Sequence, residues 1–186
     1  MHRQMNSSLF SLQPGKRVRP RQAGYIDLSM IFVLICIAIG IGYALYNGGS
    51  LMNSSDVGNE QSNIGQLIAN TRKLKGSAGY GSSGTNLVPQ LATIKGLPNM
   101  SVSGSTLYNV WGGTVTVVSN GMTFVITENG LPQDACATLA TKISRGQKVI
   151  TAINGGSSTT GEVTSATATS GCSNDSTSNT LSWTVY

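Results

Sequence analysis

Apolar residues form one continuous run near the start of the chain. Residues 30–46 (MIFVLICIAIGIGYALY) contain no charged side chain. With residues 25–29 included, the run reaches the roughly 20 residues that a helix needs to cross a bilayer. The pattern therefore predicts a membrane helix over residues 25–49. Because basic residues precede it, the positive-inside rule places the N-terminus in the cytoplasm and the rest of the chain outside.

A second, amphipathic helix is predicted to follow the membrane segment, over residues 50–75. Ile64, Leu67 and Ile68 recur at helical spacing, and Thr71 lies on the same face. A stripe of this kind packs against a hydrophobic core. We therefore expect one long N-terminal helix whose first half spans the membrane and whose second half packs on a globular head.

The rest of the chain alternates between strand-like runs and one further helix. Asn120-Gly121 lies between two β-rich runs, which is a strong hairpin signal. Pro132 lies in the first turn of the further helix, a position that proline tolerates. The elements predicted for the head are a hairpin over residues 114–127, a helix over 131–143, and strands over 148–153 and 180–186. Their order predicts an α+β fold in which an antiparallel β-sheet packs on the long helix.

The net charge of +5 belongs to the first 24 residues, which hold five of the 12 basic residues and no acid. The remainder is formally neutral, which argues against a nucleic-acid partner. The one histidine, His2, lies in this leader, so the folded part lacks His-based catalysis and His-ligated zinc. Glu128 and Asp134 are interpreted as ordinary surface acids rather than a catalytic pair. We expect no enzymatic activity and no cofactor.

The segment GSAGYGSSG, residues 76–84, contains a literal G-x-G-x-x-G at Gly79, Gly81 and Gly84. A dinucleotide site would need a strand before this motif and a helix opening after it. Here a predicted helix precedes it and a loop follows. We interpret the segment as a flexible connection between the helix and the head.

The chain has three cysteines. Cys36 lies in the apolar run and is interpreted as an apolar filler. Cys136 and Cys172 lie in the head, and outside the cytoplasm two lone cysteines in a small domain usually pair. Their bridge would stabilise the polar stretch between them by ~3–4 kcal/mol on the chain-entropy model. Two free thiols are the alternative.

The basic leader ends at Gly24, directly before Tyr25 and the apolar run. An ordinary secretory signal is cleaved after its apolar core. Cleavage between Gly24 and Tyr25 would instead keep the apolar helix as a new N-terminus, an arrangement that resembles type IV prepilins. The alternative is an uncleaved single-pass anchor.

Two polar residues near the start of the apolar helix are candidates for an assembly contact. In type IV pilins, an acid at the fifth mature position is thought to meet the N-terminal amine of a neighbouring subunit. Here that position is Ser29, and the acid, Asp27, stands at the third position. Asp27 could serve the same pairing with shifted geometry. Alternatively, it lies at the membrane interface and favours the helix N-terminus.

Beyond the leader, the chain resembles type IVb pilins, and more narrowly the PilS-like major pilins of conjugative thin pili. The matching stretches are residues 63–81 (NIGQLIANTRKLKGSAGYG), 107–115 (LYNVWGGTV), 124–126 and 130–139 (GLPQDACATL), with Cys172 near the C-terminus. The resemblance implies that a prepilin peptidase removes residues 1–24 and can methylate Tyr25. It also implies assembly by a cytoplasmic ATPase and an inner-membrane platform, and a disulfide-closed variable region on the filament.

These features predict a structural subunit that leaves the inner membrane and self-assembles into a helical homopolymer on the cell surface. A neutral head with an extractable apolar helix can stack head to tail, and a heterologous contact that does not close gives a fibre. The filament would contact recipient or host cells, for conjugation, adhesion or both. The alternatives are a minor pilin or pseudopilin of the same architecture, and an uncleaved single-pass envelope protein.

Overall fold

The structure is a computed structural model that describes residues 28–145, 149–174 and 177–186. In its first helix, the side chains of residues 28–29 and 40–53 are not described. The chain divides into two units between Leu45 and Tyr46, and each unit is described by itself.

The described part of the first unit belongs to helix α1, Leu28–Arg72, which continues into the second unit. The side chains of residues 30–39 are exposed, including Phe32 at 69 % and Ile39 at 66 %. Large apolar side chains in a row mark a surface that needs an apolar environment. In the part of the chain that the structure describes, no helix is long and apolar enough to cross a membrane. The predicted membrane segment, residues 25–49, lies partly outside the described residues and stays a prediction.

The second unit contains the C-terminal half of α1, whose apolar face is buried as predicted. Ile64, Leu67 and Ile68 have at most 2 % of their surface exposed. Thr71 lies on the same face and donates its hydroxyl to the Leu67 carbonyl at 2.7 Å, so that its buried oxygen has a partner. This half of the helix forms one side of the core of the head.

The head is an α+β structure built on one antiparallel sheet, as predicted. Its elements are α2 (Val88–Thr93), β1 (Ser101–Ser103), β2 (Thr106–Tyr108), β3 (Thr114–Asn120), β4 (Thr123–Leu131), α3 (Gln133–Ile143), β5 (Val149–Ile153), β6 (Thr159–Thr160), α4 (Ser165–Gly171) and β7 (Asn179–Val185). The strand order is β1-β2-β3-β4-β7-β5-β6. The sequence did not predict α2, α4 or the short strands β1, β2 and β6.

The predicted Asn-Gly hairpin joins β3 and β4, with Asn120 paired to Thr123. Gly121 adopts a φ of +73°, which a glycine tolerates without strain. On the C-terminal strand, β7, the predicted alternation is also observed, because Leu181, Trp183 and Val185 are fully buried. Every second residue of a strand points to the same face of the sheet, and on β7 these alternate apolar residues face the core.

The glycine-rich segment, residues 76–84, packs against the β3–β4 hairpin rather than forming a flexible connection. The Tyr80 amide donates to the Gly121 carbonyl at 2.8 Å, and the Gly84 amide donates to the Ser119 carbonyl at 2.9 Å. Tyr80 has 6 % of its surface exposed, and its ring meets that of Phe124 edge to face at 5.0 Å. The interpretation as a loose linker was wrong, because it overlooked the aromatic residue that anchors the segment.

Candidate functional site

A disulfide joins Cys136 in α3 to Cys172, which directly follows α4. The two Cα atoms are 5.9 Å apart, and both residues are fully buried. The bridge confirms the predicted pairing and rules out the alternative of two free thiols. The disulfide closes a segment with a sequence separation of 36 residues, which contains the end of α3 together with β5, β6 and α4.

The C-terminal part of this segment has few apolar anchors. Val163 and Ala168 are buried, whereas the other side chains from Thr164 to Ser170 are exposed. The Val163 amide donates to the Ser144 hydroxyl at 3.0 Å, and the Thr164 hydroxyl caps α4 by accepting from the Thr167 amide at 3.2 Å. The segment therefore presents a polar face of hydroxyl and amide groups to solvent.

Two asparagines join the end of this segment to the sheet. Asn179, fully buried at the start of β7, donates to the Leu131 carbonyl at 3.1 Å and to the Asn174 carbonyl at 2.8 Å. Its side-chain oxygen accepts from Asn154 at 3.0 Å, and the Asn154 oxygen accepts from the Thr180 amide at 2.8 Å. Because buried polar groups are costly without partners, this satisfied network fixes the path of the chain after Cys172.

A feature that the sequence analysis missed is a pair of buried glutamates. Glu60 of α1 and Glu128 of β4 are both fully buried, and the consecutive residues Val110 and Asn109 each donate a hydrogen bond to one of the two carboxyl groups. Burial raises the pKa of Glu128 well above its usual value, and the charge of Glu60 raises it further. Burial also raises the pKa of Glu60, partly offset by hydrogen bonds from the Val110 amide and from Asn63. The interpretation of Glu128 as a surface acid was therefore wrong.

The predicted processing and assembly residues lie at or beyond the limit of the described chain. Gly24, Tyr25 and Asp27 lie outside the described residues. Ser29 belongs to the first turn of α1, but its side chain is not described. Their roles stay predictions. Cys36 is a free, exposed cysteine of α1.

The described surface of the head offers shallow clefts. One of about 340 Å³ is lined by Asn59, Ser62, Asn63, Asn99 and Val110. Among the described residues, no group of three His, Cys, Asp or Glu side chains could hold a metal ion. The chemistry that these described surfaces display is hydrogen bonding by amides and hydroxyls.

A long N-terminal helix, an antiparallel sheet packed on its C-terminal half and a disulfide that closes the C-terminal region define the class of type IV pilin subunits. The sequence model described as PilS N terminal matches residues 54–186, and the chain belongs to this family of type IVb pilins. No curated protein sequence matches the chain.

Two solved structures are similar to the head. The crystal structure of the type IVb pilin from Salmonella typhi has a TM-score of 0.59 and 29 % sequence identity, and the match covers 68 % of this chain and 97 % of that one. The NMR structure of the type IVb pilin (PilS) from Salmonella typhi has a TM-score of 0.50 and 33 % identity over 69 % of this chain and 95 % of that one. These relatives indicate a structural pilus subunit rather than an enzyme.

Proposed function

We propose that the chain is the major subunit of a type IVb pilus that makes mating-pair contacts, adhesive contacts or both. The observation that carries the proposal is the PilS family match over residues 54–186, together with the pilin fold of the head. A family of pilus subunits implies an extracellular filament. The further assignment to conjugation rests on the resemblance to the pilins of conjugative thin pili.

Maturation would divide the chain into three parts. Residues 1–24 are a leader that a prepilin peptidase removes between Gly24 and Tyr25. Residues 25–49 hold the prepilin in the inner membrane and later form the apolar core of the filament. Residues 50–186 supply the amphipathic helix and the head. The exposed apolar side chains of residues 30–39 support this division, because they require either lipid or the helices of neighbouring subunits.

Assembly would depend on the new N-terminus and on the two polar residues near it. Asp27 pairs with the amine of Tyr25 of a neighbouring subunit, and Ser29 takes the position that an acid holds in other type IV pilins. A cytoplasmic ATPase and an inner-membrane platform drive extraction and stacking. Repetition of the same head along the filament then turns weak contacts with a recipient or host cell into avid binding.

The proposal is tested by the intact mass and N-terminal sequence of the protein in material sheared from the surface of producing cells. We expect an abundant chain that starts at Tyr25, contains one oxidised cysteine pair and, where the peptidase accepts Ser29, carries one extra methyl group. If this chain is the abundant protein of the sheared filaments, the result supports its assignment as the major subunit. A trace component of filaments made of another pilin identifies a minor pilin or pseudopilin, and a chain that starts at Met1 and stays in membranes identifies an uncleaved envelope protein.

A variant series isolates the processing step. Gly24→Phe should trap the full-length chain in the membrane, because the bulky side chain blocks the position before the cleaved bond. Gly15→Phe is the matched control in the same leader and should be processed normally. Filaments of normal yield and normal N-terminus from the Gly24→Phe variant would exclude cleavage at Gly24.

A further inference from the structure

Glu60 and Glu128 stand at core positions of two different elements. Glu60 lies on the face of α1 that buries Val57 and Ile64, one turn on either side. Glu128 follows Phe124 and Ile126 on the inward-facing side of β4. Both glutamates have 0 % of their surface exposed. An isolated carboxylate at such a position is strongly disfavoured, and the usual responses are ion pairing or protonation.

The consecutive residues Asn109 and Val110 each donate to one oxygen of a different carboxyl group of the pair. Asn109 donates its amide to Glu128 Oε1 at 3.1 Å, and the Val110 amide donates to Glu60 Oε2 at 3.3 Å. Glu60 Oε1 and Glu128 Oε2 are buried and have no hydrogen-bond partner among the described residues. The two carboxyl groups lie beside each other, because the consecutive residues Asn109 and Val110 each donate to one of them, and two carboxylates cannot donate to each other. One proton held between them satisfies both oxygens.

Within the described chain, the strands and the loop that flank the pair supply no cation to take the place of that proton. Strands β3 and β7, which flank β4 at Glu128, have no ionisable side chain, and neither do residues 109–113. Along the described part of α1 in this unit, the other charged groups are Asp56, one turn before Glu60, and Arg72, more than three turns after it. The helix therefore places no cation within three turns of Glu60 in this unit.

We propose that Glu60 and Glu128 form a proton-sharing carboxyl pair, a pH-sensitive clasp that holds α1 to β4 and to residues 109–113. Asn109 connects the clasp to its loop, because the Asn109 side-chain oxygen accepts from the amides of Trp111 at 3.2 Å and Gly113 at 2.7 Å. Loss of the proton places two negative charges side by side and loosens the hold of residues 109–113 on α1 and β4. The inference concerns the head itself and holds whichever role the filament plays.

The direction of the pH dependence follows from the raised pKa of each glutamate. In the folded chain the pair keeps its proton at pH values where the ordinary glutamates of the unfolded chain have lost theirs. The stabilisation is therefore fully present below the ordinary glutamate pKa of about 4.3 and is lost as the pH rises through the raised pKa of Glu128. For one proton, the unfolding equilibrium constant rises by up to about tenfold per pH unit in this window.

The experiment uses the full-length chain in detergent and follows urea unfolding from pH 5 to pH 8 by tryptophan fluorescence. Both tryptophans, Trp111 and Trp183, lie in the head, so the signal reports its unfolding. The native chain should lose stability as the pH rises. Glu128→Gln keeps the shape of the neutral acid and can donate to Glu60, so it should remove most of the slope. Glu162→Gln alters an exposed acid and should keep the full slope.

Two results would overturn the clasp. One is a native chain whose stability is independent of pH over this range. The other is a Glu128→Gln variant with the same slope as the native chain and the Glu162→Gln control. If the variant does not fold, infrared spectroscopy of the native chain still tests whether the pair shares a proton. Infrared difference spectra with carbon-13 glutamate should show one glutamate that stays protonated to a higher pH than the others, and spectra in which all glutamates ionise together contradict the shared proton.

Discussion

Removal of the disulfide is expected to bring the head close to its stability limit. The bridge between Cys136 and Cys172 closes a sequence separation of 36 residues. The chain-entropy relation gives about 3.8 kcal/mol at 25 °C for a loop of this length. Replacing both fully buried cysteines by alanine also removes two sulfur atoms from the core, which costs about 1–2 kcal/mol more. The sum, about 5 kcal/mol, is comparable to the whole stability of many domains.

The assay is urea unfolding of the full-length double variant Cys136→Ala/Cys172→Ala, followed by tryptophan fluorescence. The native chain under a reducing agent is the informative comparison, because it loses the cross-link but keeps the volume of both sulfurs. We expect the reduced native chain to lose about 4 kcal/mol and the double variant slightly more. Cys36→Ser, which removes the free cysteine of α1, should leave the head unchanged.

A loss below about 1.5 kcal/mol in both samples would refute the entropic reasoning. Such a result would mean that the unfolded segment is already restricted without the cross-link. A large loss in the double variant alone, with no effect of reduction, would instead assign the stabilisation to packing of the sulfur atoms. Comparing the reduced native chain with the double variant therefore separates the entropic effect of the cross-link from the packing of the two sulfur atoms.

Three further predictions concern backbone space and surface charge. Gly113→Ala should destabilise the head by about 2–3 kcal/mol in the same urea assay, because the new methyl group would overlap the Asn129 carbonyl oxygen. Gly58→Ala, in α1 with open space around it, should stabilise by up to about 1 kcal/mol, and a loss there would contradict the described helix. Arg145→Ala should change stability by less than about 0.5 kcal/mol, since its ion pair with Glu162 is more than half exposed on both sides. A larger loss of stability, measured by thermal unfolding, would show that the Arg145–Glu162 ion pair stabilises the head more than its exposure to solvent indicates.

The elements that the sequence predicted are those whose signals are local. The β3–β4 hairpin carries Asn-Gly between two alternating runs, and α3 carries an apolar stripe with Pro132 at its start. By contrast, β1, β2 and β6 have two or three residues each, so that periodicity has too few positions to register. Their strand character comes from pairing with residues elsewhere in the chain, which a local pattern does not contain.

The glutamate pair was missed although each element carries a signal for it. The alternation of β4 was followed only to Thr127, and one more step after Phe124 and Ile126 places Glu128 on the inward face. Likewise, Glu60 lies on the apolar face of α1, between Val57 and Ile64. A charged residue at an inward position is a signal in itself, because it must find a partner or a proton. The juxtaposition of the two acids comes from the tertiary packing, which neither pattern specifies.

The polar segment before Cys172 shows why the cross-link and the fold depend on each other. Helix α4 has 7 residues and buries only Ala168, so its apolar contacts cannot offset the entropy of ordering it. Its position is set at its two ends instead, by the Val163 amide bonded to Ser144 and by the disulfide at Cys172. Apart from the cap Thr164, the exposed hydroxyl side chains between these ends contribute little to stability, so substitutions there should leave the unfolding midpoint nearly unchanged. A surface built in this way can change its chemistry while the head keeps its fold, which suits a subunit whose outer face makes the contacts of a filament.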